Sequence, residues 1–143
     1  MIMTSHRLDR FLTAQDAVID QVRAELRAGR KRSHWMWFIF PQVAGLGHSA
    51  MARAYAIASL DEARAYLDHP VLGGRLRECA QLVLDLDGET ADSIFGSPDN
   101  LKFHSSMTLF AIADGADESV FAACLAKYFS GRKDAGTLSL LGP

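Results

Sequence analysis

The feature of this sequence that most constrains its fold is the recurrence of apolar residues at helical spacing. Val18, Val22 and Leu26 lie on one stripe, and similar stripes continue through most of the chain. A continuous sheet would need several alternating runs, and at most one short extended segment is present, near Trp35–Phe40. The pattern predicts an all-α protein, with a single domain over residues 1–143 that contains about six to seven helices.

Helix boundaries are marked by residues that cap helices. Ser49, Ser59 and Thr90 each precede an apolar stripe, and their hydroxyl groups can accept hydrogen bonds from the first free N–H groups of a helix. A first helix is expected between Thr13 and Gly29, because glycine readily takes the left-handed conformation that ends a helix.

Composition excludes several classes of protein. The 143 residues carry 15 Lys and Arg against 17 Asp and Glu, so the basic field of a bulk nucleic-acid binder is missing. No uncharged apolar stretch approaches the ~20 residues that span a bilayer. The segment Met1 to Arg10 has no apolar core of signal-peptide length. Cys79 and Cys124 lie in apolar helical patterns, typical of core cysteines. We expect a cytoplasmic protein that binds no membrane.

The first candidate site combines cations with aromatic rings. Residues 30–32 are Arg, Lys and Arg, and His34, Trp35 and Trp37 follow them. Such a segment can bind a phosphate and stack a base. In the alternative, the cations complement a helix C-terminus and the tryptophans anchor the core. A buried indole N–H then needs a hydrogen-bond partner, which a polar cavity could provide.

The second candidate site is the segment Gly45-x-Gly47-x-Ser49, which leads into a predicted helix. Glycines let the backbone approach an anion, and free N–H groups can bind it. The alternative is a plain turn. Three polar residues lie nearby in sequence and could add contacts: Gln42, His48 and Arg53.

The third candidate site lies on a helix predicted for residues 99–113. Lys102 and Ser106 are four residues apart and share a helix side with Ser105. Serine is unfavourable in a helix interior, so these residues indicate a polar pocket wall or close packing. A Ser–Lys pair can also act as nucleophile and base, but no oxyanion hole is identifiable, and we assign no catalytic residue. The five histidines show no metal-ligand spacing, so we expect neither a metal nor a cofactor.

An ordered set of short strings runs through nearly the whole chain, from about Leu8 to Leu141. The strings are His34–Gln42, Gly45–Gly47, His69–Gly73 with Arg75 and Leu76, Ile94–Gly96, Lys102 with Ser105–Phe110, and Thr137–Leu138. Together they resemble a bacterial domain-of-unknown-function family whose members are often labelled calpastatin-like. The resemblance implies a single, mainly α-helical domain with an α–α superhelical arrangement, and it implies no established activity.

A remoter similarity links the chain to the NADAR (YbiA-like) domains, small helical N-glycosidases that act on ADP-ribose-type or riboflavin-precursor substrates. The shared features are an aromatic segment that ends in proline, a following helix, and a late helix that bears a lysine. This similarity implies an N-glycosidase. Residues 49–58, however, contain no acidic residue that could match a catalytic acid.

Our leading interpretation is a polar, aromatic-lined pocket for a small anionic, nucleotide-like ligand. The alternatives are an N-glycosidase and a protein-interaction module, in which the aromatic segment packs against a partner or a second copy of the chain. The predicted ligand-binding residues are Trp35, Trp37 and Gln42 on one wall, Gly45, Gly47 and Ser49 at the anion, and Lys102, Ser105 and Ser106 on the opposing wall.

Overall fold

Ten α-helices make up the regular structure of residues 7–142, the part of the chain that the computed structural model describes. Met1–His6 and Pro143 lie outside it, and so does most of the segment predicted to lack a signal peptide. No helix within residues 7–142 is long and apolar enough to cross a membrane. The helices are α1 (Asp9–Asp16), α2 (Ile19–Ala28), α3 (Met36–Ile39), α4 (Ala50–Ala54), α5 (Leu60–Asp68), α6 (Leu72–Leu84), α7 (Ala91–Phe95), α8 (Asp99–Asp114), α9 (Val120–Phe129) and α10 (Ala135–Leu141).

The all-α class is confirmed, but the predicted count of six to seven helices is wrong. Two helices, α1 and α2, occupy the stretch for which the sequence predicts one, because the helix is interrupted at Ala17 and Val18. A further helix, α10, forms in the C-terminal tail, where the Oδ2 atom of Asp134 accepts a hydrogen bond from the N–H of Thr137 at 2.9 Å.

The extended segment predicted near Trp35–Phe40 is also wrong, because Met36–Ile39 forms the one-turn helix α3. The segment is buried on several sides at once, so its run of large apolar residues does not distinguish a strand from a helical turn. Extended pairing occurs slightly later, as one isolated parallel bridge between Val43 and Ile57.

The predicted caps are confirmed for three helices. The hydroxyl groups of Ser49, Ser59 and Thr90 each accept a hydrogen bond from an N–H three residues on, at 3.0 to 3.1 Å. Gly29 ends α2 in the left-handed conformation, with φ 75°. Before α6, His69 has the capping role, since its Nδ1 atom accepts from the N–H groups two and three residues on.

The long helix α8 is the centre of the fold. It packs against α5, α7, α9 and α10, and α6 packs against α2, α5 and α9. A superhelix of helix pairs would stack mainly neighbours along the chain, whereas α8 packs on the much earlier α5. The helices therefore pack around α8 and do not form the α–α superhelical arrangement that the resemblance implies. Half of the residues of α8 are buried, including Phe103 and Ser105–Phe110.

A buried carboxylate holds the segment between α2 and α3. Glu25 is 4% exposed, and its Oε1 atom accepts from the backbone N–H groups of Arg32 and Ser33 at 2.7 and 3.0 Å. The same oxygen accepts from the indole N–H of Trp35 at 2.9 Å. Its Oε2 atom accepts from the Ser33 hydroxyl and from the amide of Gln21, at 2.5 and 2.7 Å.

These hydrogen bonds keep Glu25 ionised. Burial raises the pKa of its carboxyl, but the bonds from Ser33, Arg32, Gln21 and Trp35 outweigh burial and lower the pKa to about 2. An ionised carboxylate offers only acceptor atoms, which matches five converging donors. The indole N–H of Trp35 is therefore satisfied inside the core.

We expect Glu25→Gln to lower the free energy of unfolding by about 3 kcal/mol at pH 7, because an amide NH₂ would face donors and leave some of them unpaired in the interior. Urea unfolding measures this loss. The control is Glu118→Gln, a change of the same kind at an exposed position, for which a change below about 0.5 kcal/mol is expected. A loss under about 1 kcal/mol in Glu25→Gln would contradict the role given to this carboxylate.

The same group predicts a pH dependence of stability. Since folding lowers the pKa of Glu25 from 4.5 to about 2, its contribution is fully present above about pH 4.5 and is lost as the pH falls towards 2. The difference corresponds to about 3 kcal/mol. Urea unfolding of the wild type and Glu25→Gln should therefore show a stability gap that narrows between pH 6 and pH 2.5. A gap that stays constant over this range would refute the prediction.

Candidate functional site

A cavity of about 170 Å³ opens between α3, α4 and the start of α8, with the loop of residues 42–47 as one wall. Its apolar lining is mainly Met36, Phe40, Val43 and Tyr55. Its polar lining comes from Trp37, Gln42, Arg53 and Lys102 and from the backbone at Gly45 and Gly47.

Backbone pairing fixes the beginning of the loop wall. The carbonyl oxygen of Gln42 accepts from the N–H of Ile57 at 2.9 Å, and the N–H of Ala44 donates to the carbonyl oxygen of Ile57 at 2.8 Å. These two bonds flank the Val43–Ile57 bridge. Gln42 therefore enters the cavity from a backbone held on both sides of the bridge.

Two glycines let the rest of the loop pack closely. Gly45 has a φ of 106°, and a Cβ atom there would lie 3.0 Å from a methyl carbon of Leu140 on α10. A Cβ atom at Gly47 would lie 2.5 Å from the Cβ atom of Ala52 on α4. No hydrogen bond within residues 7–142 uses the backbone N–H groups of Gly45, Gly47 or His48. This wall therefore has unused donors.

Two cations give the cavity its electrostatic character. The Nζ atom of Lys102 lies 5.4 Å from the centroid of the Trp37 ring and 3.4 Å from the Oδ1 atom of Asp99. Arg53 is exposed, and no ion pair within residues 7–142 involves it. No Asp or Glu from the described part of the chain is among the lining residues. The local potential consequently favours an anion.

A buried hydroxyl group holds the side chain of Gln42. The Nε2 atom of Gln42 donates to the Oγ atom of Ser105 at 2.7 Å. Ser105 is 2% exposed, and its own hydroxyl hydrogen is directed to the carbonyl oxygens of Leu101 and Lys102, at 3.1 and 3.2 Å. Ser105 thus lies behind Gln42 and supports it.

The structure brings together part of the predicted site. The predicted residues that line the cavity are Trp37, Gln42, Gly45, Gly47 and Lys102.

The other predicted residues lie outside the cavity. Trp35 is fully buried and bonded to Glu25, and Ser49 caps α4. Ser105 stands one contact behind the lining, as its bond to Gln42 shows. Ser106 is fully buried, and its hydroxyl group has no hydrogen-bond partner in the described part of the chain.

The sequence did not identify the apolar lining, and it placed Arg53 near the glycine segment without including it among the ligand-binding residues. Met36, Phe40 and Tyr55 have the composition of core residues, and nothing in their spacing marks a cavity. Arg53 carried a usable signal, because it follows the N-cap Ser49 by one helical turn and faces the same loop.

Within residues 7–142, neither metal-ligating side chains nor the two thiols form a second site. No cluster of three or more metal-ligating side chains is found within residues 7–142. Burial raises the pKa of the Cys79 and Cys124 thiols to about 12. Neither thiol is therefore a nucleophile at neutral pH.

Comparison with known proteins gives a family and a structural relative. The model of a family described as "Protein of unknown function (DUF1810)" matches residues 5–141. The chain is similar to the conserved hypothetical protein Rv1873 from Mycobacterium tuberculosis, whose crystal structure superposes with a TM-score of 0.93 at 54% sequence identity. The match covers 95% of this chain and 96% of that one. No curated protein matches.

The close approach at Gly47 predicts an effect on stability. We expect Gly47→Ala to lower the free energy of unfolding by about 1–2 kcal/mol, because the added methyl group must push α4 away from the loop. Gly74→Ala is the control, since Gly74 lies in α6 with no atom within 4 Å of an added Cβ. That substitution should raise stability by up to about 1 kcal/mol. Equal urea midpoints for Gly47→Ala and the wild type would refute the prediction.

Proposed function

The chain belongs to the DUF1810 family of proteins of unknown function, and from its cavity we propose that it binds a small anionic ligand. One observation carries the proposal: Lys102, Arg53 and unused backbone N–H groups lie around a cavity whose described lining contains no acidic residue. Cations and N–H donors around one concave surface create a positive potential there, and this potential favours an anion over water.

The charges of the cavity are only partly compensated. Asp99 shares its carboxylate between Lys102, at 3.4 Å, and Lys31, at 2.8 Å. Lys102 is about one-quarter exposed, so this ion pair is weak and leaves the ammonium group able to take a second anionic partner. Arg53, which lines the cavity from α4, adds a cation that is not paired within residues 7–142.

The size of the cavity limits the ligand. A volume of about 170 Å³ is below the range of about 300–1,000 Å³ typical of drug-sized ligands. It suits one ring or one charged group with its immediate neighbours. A nucleotide-like ligand would therefore place only part of itself in the cavity, beside Trp37 and Lys102.

The alternative functions have no specific observation in their favour. An N-glycosidase needs a carboxyl group at the substrate, and Asp99 is engaged by two lysines. In an interaction module, the aromatic segment would be available to a partner or a second copy, but Trp35, Phe38 and Phe40 are buried in the core. The calpastatin-like label identifies no residue that would support either alternative.

A thermal-shift screen tests the proposal. The probes are inorganic phosphate, benzoate, phenyl phosphate and adenosine monophosphate, with benzylamine as a cationic control. A probe at about 100 times its dissociation constant adds about 2.7 kcal/mol to the stability of the folded state. A screen in which no anion raises the melting temperature would overturn the proposal.

Lys102→Met should weaken the binding of the best anion about tenfold, which equals about 1.4 kcal/mol, because methionine keeps the apolar stem and removes the charge. Lys133→Met is the matched control, an exposed lysine outside the cavity lining, and should leave the dissociation constant unchanged. Titration calorimetry measures both. Equal affinity in wild type and Lys102→Met would place the anion elsewhere.

A further inference from the structure

We propose that Gln42 selects the ligand, and that the ligand class is a single-ring acid that carries an O–H or N–H group on its ring. The inference rests on the proposed function and adds the chemistry of a second contact. It depends on which atom of the Gln42 amide remains available to a ligand, and the hydrogen bonds around Ser105 decide this.

The hydroxyl group of Ser105 has one hydrogen to donate. Its Oγ atom lies 3.1 and 3.2 Å from the carbonyl oxygens of Leu101 and Lys102, the back-bonding geometry of a serine within a helix. These carbonyl oxygens can only accept, so the hydroxyl hydrogen is used on them. The Oγ atom of Ser105 is left as an acceptor.

The orientation of the Gln42 amide follows from this. An acceptor 2.7 Å away requires the NH₂ group of Gln42 to face Ser105, because the amide oxygen there would place two acceptors in contact. The backbone bonds on either side of Val43 keep the residue from turning as a whole. The Oε1 atom of Gln42 therefore points away from Ser105.

That oxygen is open to a ligand. No hydrogen bond within residues 7–142 uses the Oε1 atom of Gln42, and the atom is not among the buried side-chain atoms that lack a partner. It is consequently accessible, on a residue that lines the cavity. Around it, the charged lining groups, Lys102 and Arg53, and the unused backbone N–H groups are all donors.

The fixed Oε1 acceptor of Gln42, among lining groups that are donors, requires a ligand with both an anionic group and a hydrogen-bond donor. An anion satisfies the donors, but it leaves the Oε1 atom of Gln42 dehydrated unless the ligand also supplies a donor. A site built around a hydrogen bond discriminates against an analogue that lacks the bonding group. The volume of about 170 Å³ leaves room for one ring between the anionic group and this donor. A hydroxylated or amino-substituted ring acid meets all three conditions.

Titration calorimetry on the wild-type protein tests the requirement with matched probes. These are 3- and 4-hydroxybenzoate, the corresponding methoxybenzoates, and benzoate. We expect the better hydroxybenzoate to bind about tenfold more tightly than its methoxy analogue, which keeps the ring and the charge but has no donor. A ratio below twofold for both pairs would overturn the assignment of Gln42.

Variants separate this proposal from the one on which it rests. Gln42→Met should reduce the hydroxy-to-methoxy ratio to below twofold while the methoxybenzoate affinity stays within about threefold. Ser105→Ala, which frees the Gln42 amide to turn, should reduce the ratio about threefold. Gln81→Met, on the exposed side of α6, is the control and should keep the full ratio. An unchanged ratio in Gln42→Met, in a variant that retains the fold, refutes the assignment.

The outcomes for the two proposals are distinct. If the benzoates bind and Lys102→Met weakens them, but hydroxy and methoxy probes bind alike, the anion site stands and Gln42 is not selective. If none of these anions binds and the thermal-shift screen is also negative, both proposals fail together.

Discussion

The buried carboxylate of Glu25 accepts hydrogen bonds from three parts of the chain: Gln21 near the start of α2, the turn at residues 32 and 33, and the indole of Trp35. A charge in the interior is tolerated only when its hydrogen-bonding capacity is filled, and here it is filled by groups that would otherwise be unpaired themselves. The turn and the tryptophan are thus fixed relative to α2. Helix α3 begins at the next residue, Met36, so its position is fixed as well.

The cavity inherits its shape from that arrangement. Phe40, at the end of α3, meets Phe103 of α8 edge to face at a centroid distance of 5.0 Å, and Phe95 of α7 at 6.0 Å. Phe103 directly follows Lys102 in the sequence, so one aromatic cluster sets the spacing between the α3 wall and the lysine. The cavity is therefore held by core packing, and its polar groups stand at the edge of that core.

Much of the fold could be predicted from local chemistry. Caps such as Ser59 and Thr90 are determined by their own helix, and they are found where the sequence places them. The extra helices could not be predicted in this way. Helix α3 has a single turn, which is too short to show a period, and α10 packs Leu140 against Gly45, in a loop far away in sequence.

The predicted site residues show the same contrast between local chemistry and contacts with distant parts of the chain. The glycines at 45 and 47 and Lys102 could be chosen because their chemistry suits an anion whatever surrounds them. The two tryptophans could not be distinguished by sequence, since the hydrogen-bond partner of the Trp35 indole inside the core is Glu25, ten residues earlier on α2. Ser106 has the right residue type, but helix phase alone does not tell which side of a buried helix meets a cavity.

The central position of α8 has a consequence for how sequences of this kind can diverge. Lys102 and Ser105 share their helix with Phe103 and Met107, both fully enclosed by the core. Changes on this helix are therefore constrained by their neighbours, whereas Arg53 and residues 44–48 lie at or near the surface. Relatives that recognise different molecules should accordingly differ first along the rim of the cavity, and retain the helix beneath it.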